Sequence, residues 1–166
     1  MIRIVIFLSL FILFSCSNDH SIYHSNVSVF KKLVFDINTY FSNPDSQDFK
    51  VSQYYTDDFV FHSYPAGNKK GVKTDKTEFL NDLETMKSAG IYLNIGHSIY
   101  LPGIDQETFE FDGSVRVYYG ASLQSDSLVV EFSGYQTINF KNGKIEEIWE
   151  WADYGGVANK LMEIRD

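Results

Sequence analysis

Asp153 and His62 are the side chains whose type and surroundings suit proton transfer. Asp153 closes the alternating run that begins at Ile145. Pairing across Asn142-Gly143 sets it opposite Phe132, two residues after Trp151. A carboxyl group enclosed by aromatic rings loses hydration, and desolvation makes a carboxyl group a usable general acid or base near neutrality. The competing role is structural: Asp153 ends its strand and caps the Gly155-Gly156 turn into a last helix. His62, at the end of Phe59-Val60-Phe61, is either a cavity-facing acid/base or a hydrogen-bonded histidine of the core or rim. His97 shares strand parity with Ile95 and Ile99, so it faces a cavity or the helix layer. Gln136 shares the Trp149 face and is suited to orienting a ligand or a water. Together with Tyr119, Phe132, Trp149, Trp151 and His97 it makes the expected pocket wall, apolar with a few placed polar groups.

The elements that must hold these residues follow from periodicity. Phe30, Leu33, Val34, Ile37 and Phe41 recur at helical steps from Val27 onward, and Asn43-Pro44-Asp45 ends that run. A shorter helix is expected over 47–55, a strand over 57–63 and a loop over 65–73. A third helix follows, with Thr74 or Asp75 as its cap, Glu78 three residues after Asp75, and a stop at Gly90. Alternation over 91–101, 115–123, 128–140 and 145–153 reads as strands. Asn142-Gly143 between two of them is the signature of a two-residue hairpin with positive φ at both places. Strict alternation about that turn pairs Phe140/Ile145, Ile138/Glu147, Gln136/Trp149, Gly134/Trp151 and Phe132/Asp153 on the inner face. Thr137/Ile148 and Tyr135/Glu150 fall outside with Arg116 and Tyr118. An Arg116–Glu150 pair is expected there, and Tyr118, Tyr135 and Ile148 form a surface suited to a homodimer.

Met1–Ser15 carries one basic residue, Arg3, before an apolar run of about eleven residues. That is a secretory signal, too short for the roughly 20-residue span of a bilayer helix. Leu13-Phe14-Ser15-Cys16 resembles a bacterial lipobox with Phe14 as its departure, so Cys16 is the expected lipid attachment point. The mature protein is expected to be exported and anchored to the cell envelope. Residues 16–26, rich in Ser, Asn and His, read as a flexible tether, and 27–166 as the folded domain. His20 and His24 within the tether receive no role.

The 166-residue chain is 44% hydrophobic and 16% aromatic, which suits one globular domain with a sizeable core. One cysteine excludes an intrachain disulfide and a Cys-based zinc site. Fourteen Lys and Arg against 22 Asp and Glu, a net charge of −8, argue against nucleic acid as a partner, because phosphate-backbone affinity depends on cations. Neither a phosphate-binding glycine loop nor a metal-ligand spacing is present, so no cofactor and no metal are implied.

Asp57-Asp58-Phe59-Val60-Phe61-His62, Gly71 before a helix, and the run from Asn142 through Trp149, Trp151 and Asp153 to Leu161 resemble the SnoaL-like branch of the nuclear transport factor 2-like superfamily. The resemblance covers residues 27–163. It implies an α+β cone-shaped barrel, with three N-terminal helices packed on a curved antiparallel sheet and a short C-terminal helix. Such barrels are commonly dimeric and open to small, often apolar ligands. In the polyketide cyclases of that superfamily a late carboxylate is the acid/base, and Asp153 matches by position. In the ketosteroid isomerases the base is an Asp on the first strand, where this chain has Ser63. The epoxide hydrolases use an Asp-Arg-Asp set; here Arg116 is followed two residues later by Tyr118, and the set is incomplete. The expected function is binding of a small hydrophobic molecule without catalysis. The alternatives are a cofactor-independent cyclase, isomerase or hydrolase using Asp153 and His62, and a dimerising partner-protein module.

Overall fold

A computed structural model of the chain describes residues 18–43, 49–65, 67–126 and 128–162. The expected signal, with Cys16 and Ser17, lies outside the described residues.

Helix α1 spans Asn18–Ser42 and buries Val27, Phe30, Leu33, Ile37 and Phe41, the stripe that the helical spacing sets on one face. It begins earlier than the apolar stripe does, so the stretch expected to be a tether is helical from Asn18 onward. Contacts fix this first part: Asn26 Nδ2 donates to Gly113 O at 2.8 Å, and the His20 and Phe111 rings meet edge-on at 5.7 Å. A single 3-10 turn, Lys50–Tyr54, stands where the second helix was expected. Strands β1 (Tyr55–Ser63) and β2 (Val72–Asp75) precede helix α2 (Lys76–Ser88). The order therefore departs from three consecutive N-terminal helices: the third helix comes only after the first hairpin. Its cap is as read, Glu78 N donating to Asp75 Oδ1 at 2.9 Å. Then come β3 (Ile91–Ile104), β4 (Phe111–Ser125), β5 (Leu128–Lys141), β6 (Lys144–Ala152) and helix α3 (Tyr154–Met162).

The six strands form one sheet in the order β2-β1-β6-β5-β4-β3. The long strands pair antiparallel, but β1 lies parallel to β6, so the sheet is mixed rather than wholly antiparallel. Helices α1 and α2 cover one face. On β4 the residues Val115, Val117, Tyr119 and Ala121 turn inward and are buried, as the alternation requires.

Two of the breaks in register along this sheet bear on the site. The first lies on β3 between Ile95 and Ser98. Asn38 of α1 bridges there, its Nδ2 donating to Ile95 O and its Oδ1 accepting from Ile95 N, both at 2.8 Å. A side-chain amide thus replaces a strand neighbour for a residue at the edge of a bulge. The second lies just past the β5–β6 turn. Asn142 and Gly143 adopt φ of 54° and 75°, and Lys141 faces Lys144 as the two-residue hairpin demands. Phe140 pairs with Ile145, but Asn139 then pairs with Glu147, leaving Glu146 as an extra residue on β6. Lys141 Nζ holds the Glu146 carboxylate at 2.7 Å and also reaches Asp58 at 3.2 Å. Beyond this bulge every side chain of β6 faces opposite to the strictly alternating register.

Candidate functional site

The helices and the sheet enclose a cavity of about 550 Å³. Helix α1 supplies Phe30, Leu33, Val34 and Ile37 to its wall, α2 supplies Phe79, Leu83 and Met86, and the sheet supplies Phe61, Val117, Phe132 and Ile148. Polar groups are few, and three of them meet. Tyr119 Oη donates to Glu150 Oε1 at 2.6 Å, and Gln136 Nε2 donates to the same oxygen at 2.6 Å. Oε2 of Glu150 has no hydrogen-bond partner among the described residues. Glu150 is 7% exposed, and burial pushes its carboxyl group above the ordinary value of 4.5, against the two hydrogen bonds that pull it down. Tyr119 is pushed well above its ordinary value of 10 by burial, and further by the carboxylate it touches. The phenol is therefore a fixed donor rather than an acid of physiological range.

This trio is assembled from three adjacent strands. Gln136 on β5 faces both Val117 on β4 and Glu150 on β6. Tyr119 reaches Glu150 across β5 because the residue in its path is Gly134, where any Cβ would collide with the phenol ring and hydroxyl.

The bulge at Glu146 decides which expected residues belong here. Tyr119, Phe132 and Gln136 line the cavity. Trp149 and Trp151, expected beside them, pair with Thr137 and Tyr135 on the other face of the sheet. Ile148 and Glu150, expected outside, line the cavity instead. The expected Arg116–Glu150 pair is accordingly replaced: Arg116 Nη1 donates to Tyr135 Oη and to Thr137 Oγ1, each at 3.3 Å, on the outer face. Without Ile148, the outer surface retains Tyr118, Tyr135 and the half-exposed Trp151.

His62 is buried on that outer side, stacked on Trp149 with ring centroids 3.9 Å apart and planes 9° from parallel. Its Nε2 lies 3.5 Å from Glu147 Oε1 without hydrogen-bond geometry. The parallel pairing of β1 with β6 sets His62 beside Trp149 and the next residue, Ser63, beside Glu150. Ser63 thus lines the cavity and His62 does not. Asp153 is exposed and acts as the N-cap of α3, its Oδ1 accepting from Gly156 N at 2.8 Å. His97 sits in the β3 bulge, exposed and off the cavity wall. Asp153 and His62 are therefore not brought together.

Glu150, the carboxylate that the fold does bury, was masked by the alternating register. Its signal in the sequence is the three-residue spacing of Ile145 and Ile148, two strong strand residues that only a bulge can turn to one face. Among the described residues no three His, Cys, Asp or Glu side chains gather where they would hold a metal ion.

No protein-family model matches the chain, and no curated protein matches it in sequence. Solved structures do match in fold. A phenazine-biosynthesis-related protein of Pseudomonas aeruginosa superposes with a TM-score of 0.62 at 10% identity, over 89% of this chain and 90% of that one. BvnE pinacolase of Penicillium brevicompactum gives 0.61 at 13%, over 84% and 93%. A protein of Xanthomonas campestris proposed to be a polyketide cyclase gives 0.58 at 11%, over 82% and 97%. At these identities what the chain shares with these proteins is its α+β fold and no more.

Proposed function

We propose that this chain is a SnoaL-like domain that binds a small, mainly apolar molecule in the cavity, with one polar group of that molecule set against Glu150. The observation that carries the reading is a carboxyl group 7% exposed inside a mainly apolar cavity of about 550 Å³, with one oxygen fully engaged and the other without a partner among the described residues. Magnitudes support a decisive role for that oxygen. Burying roughly 250 Å² of apolar ligand surface at about 25 cal/mol per Å² supplies about 6 kcal/mol. Association costs about 4 kcal/mol or more, so apolar burial alone gives weak binding. Native mass spectrometry of protein purified without detergent tests the reading. A small-molecule adduct released on denaturation is expected. Protein free of adduct and inert to a panel of apolar probes would remove the reading.

A second reading, acid/base catalysis, draws on the same group. Tyr119 and Gln136 fix Oε1, which leaves Oε2 to carry or accept a proton, and the raised Glu150 keeps that proton available nearer neutrality than an ordinary carboxyl group does. The solved structures of this fold include a pinacolase, so the scaffold accommodates chemistry as well as binding.

We also propose, from Leu13-Phe14-Ser15-Cys16, that the chain is exported and lipid-anchored at Cys16. Labelling with a palmitate analogue is expected to mark wild type and not Cys16→Ser; label surviving that substitution rejects the anchor. A homodimer through the outer sheet face, with Tyr118, Tyr135 and Trp151 at its centre, is the matching proposal for partners. Sedimentation of wild type as a dimer and of Tyr118→Glu as a monomer is the expected result.

A further inference from the structure

The charged side chains among the described residues that line the cavity are all acidic. Glu150 lies inside it, and Glu78 and Asp82, four residues apart on α2 and exposed, stand at its rim; no Lys, Arg or His is among the lining residues. The other titratable groups facing the space are phenols: Tyr55 from β1, Tyr119 from β4 and Tyr154 from α3. The stretches of α1 and β3 that line it bring no ionisable side chain. A ligand bearing a carboxylate or phosphate would pass two carboxylates at the rim and arrive where no cation receives it. Burial of an unpaired charge is strongly unfavourable. A ligand with only an ether or ketone would leave the rim charges without purpose and, against an ionised Glu150, would bring no donor to Oε2. A positively charged nitrogen suits both places. The rim carboxylates attract it during encounter, and the unpartnered oxygen of Glu150 accepts its N–H inside.

We infer that the ligand is a hydrophobic amine, its ammonium held on Glu150 Oε2 and its alkyl or aryl body against Phe30, Phe79 and Phe132. The inference deepens the reading of the cavity as a small-molecule site and rests on it. The proton balance is explicit. Burial raises the Glu150 carboxyl group, so below that raised value a bound ammonium sends the Glu150 proton to water, whereas an uncharged amine takes that proton itself. Affinity for the amine therefore rises with pH until Glu150 ionises without ligand, and falls again above the amine's own pKa.

Isothermal titration of the full-length protein with phenylbutylamine, phenylbutanol and phenylbutyrate separates the possibilities, because the three share one apolar body. The amine is expected to bind at least about tenfold more tightly than the alcohol and roughly a hundredfold more tightly than the acid. Glu150→Gln is expected to bring the amine down to the level of the alcohol. Glu78→Gln with Asp82→Asn is expected to slow amine association and to leave its dissociation unchanged. An alcohol or acid that binds as tightly as the amine overturns the amine assignment and leaves the small-molecule site standing. Failure of all three to bind overturns both.

Discussion

Tyr119 and Glu150 stand on strands separated by β5, yet the phenol oxygen of one lies 2.6 Å from the carboxyl oxygen of the other. The bond spans a whole strand because Gly134 offers no side chain between them. It also ties the electrostatics of the cavity to the packing of the sheet.

Gly134→Ala is the direct test of that geometry. The new methyl group has no room unless the Tyr119 ring moves, so the hydroxyl must leave Glu150. We expect a loss of about 2–3 kcal/mol, from overpacking together with a buried hydrogen bond. Urea denaturation reads the stability, and the Glu150 carboxyl resonance reads the lost bond as a further rise in its titration midpoint. An unshifted midpoint would show that the hydroxyl is not held as described.

Glu150 makes stability depend on pH in a defined sense. Its folded pKa lies above the ordinary value of 4.5, so the folded protein binds this proton more tightly than the unfolded chain does. That contribution is complete below 4.5 and is lost as pH rises through the folded value, at about 1.4 kcal/mol for each unit separating the two. Glu150→Gln, which keeps an acceptor for Tyr119 and Gln136, is therefore expected to gain on wild type as pH climbs and to match it in acid. Parallel stability curves across pH 4 to 8 would contradict a buried, proton-holding Glu150.

The two faces of β6 predict opposite outcomes for two aromatic truncations. Trp149→Ala removes the stacking partner of His62 on the outer face and is expected to cost about 2 kcal/mol, below the range for fully buried aromatics because the ring is only half-buried. Probe binding in the cavity should not change. Phe132→Ala opens the cavity wall and should weaken probe binding about tenfold. Titration of both variants with one apolar probe decides the matter, and a binding defect in Trp149→Ala alone would restore the unbulged register.

Asp153→Ala should cost about 1 kcal/mol through loss of the α3 cap and leave ligand affinity unaltered. Thermal denaturation and titration on the same preparation measure both quantities. A fall in affinity without a fall in stability would return Asp153 to the site.

Much of this architecture is written locally. The spacing of Phe30, Leu33, Ile37 and Phe41 specifies the face of α1, Asp75 with Glu78 specifies the start of α2, and Asn142-Gly143 specifies a hairpin, because each signal acts over a few residues through torsional preference or a short hydrogen bond. Tyr119, Phe132 and Gln136 share a face for the same reason: alternation along β4 and β5 is unbroken through them. The identity of the buried carboxylate is different in kind. Trp149 and Trp151 offer as much apolar surface as Ile148 does, so local hydrophobicity is satisfied in either register of β6. Tertiary contacts break the tie. His62 and Tyr64 stack on the two tryptophans from outside, Phe61 and Ser63 line up with Ile148 and Glu150 inside, and Lys141 holds the extra residue Glu146. One inserted residue inverts a strand, and because most of the partners that stabilise the inversion come from β1 and the residue after it, more than eighty residues away, the sequence alone determined the strand while only the folded sheet determined which of its faces carries the site.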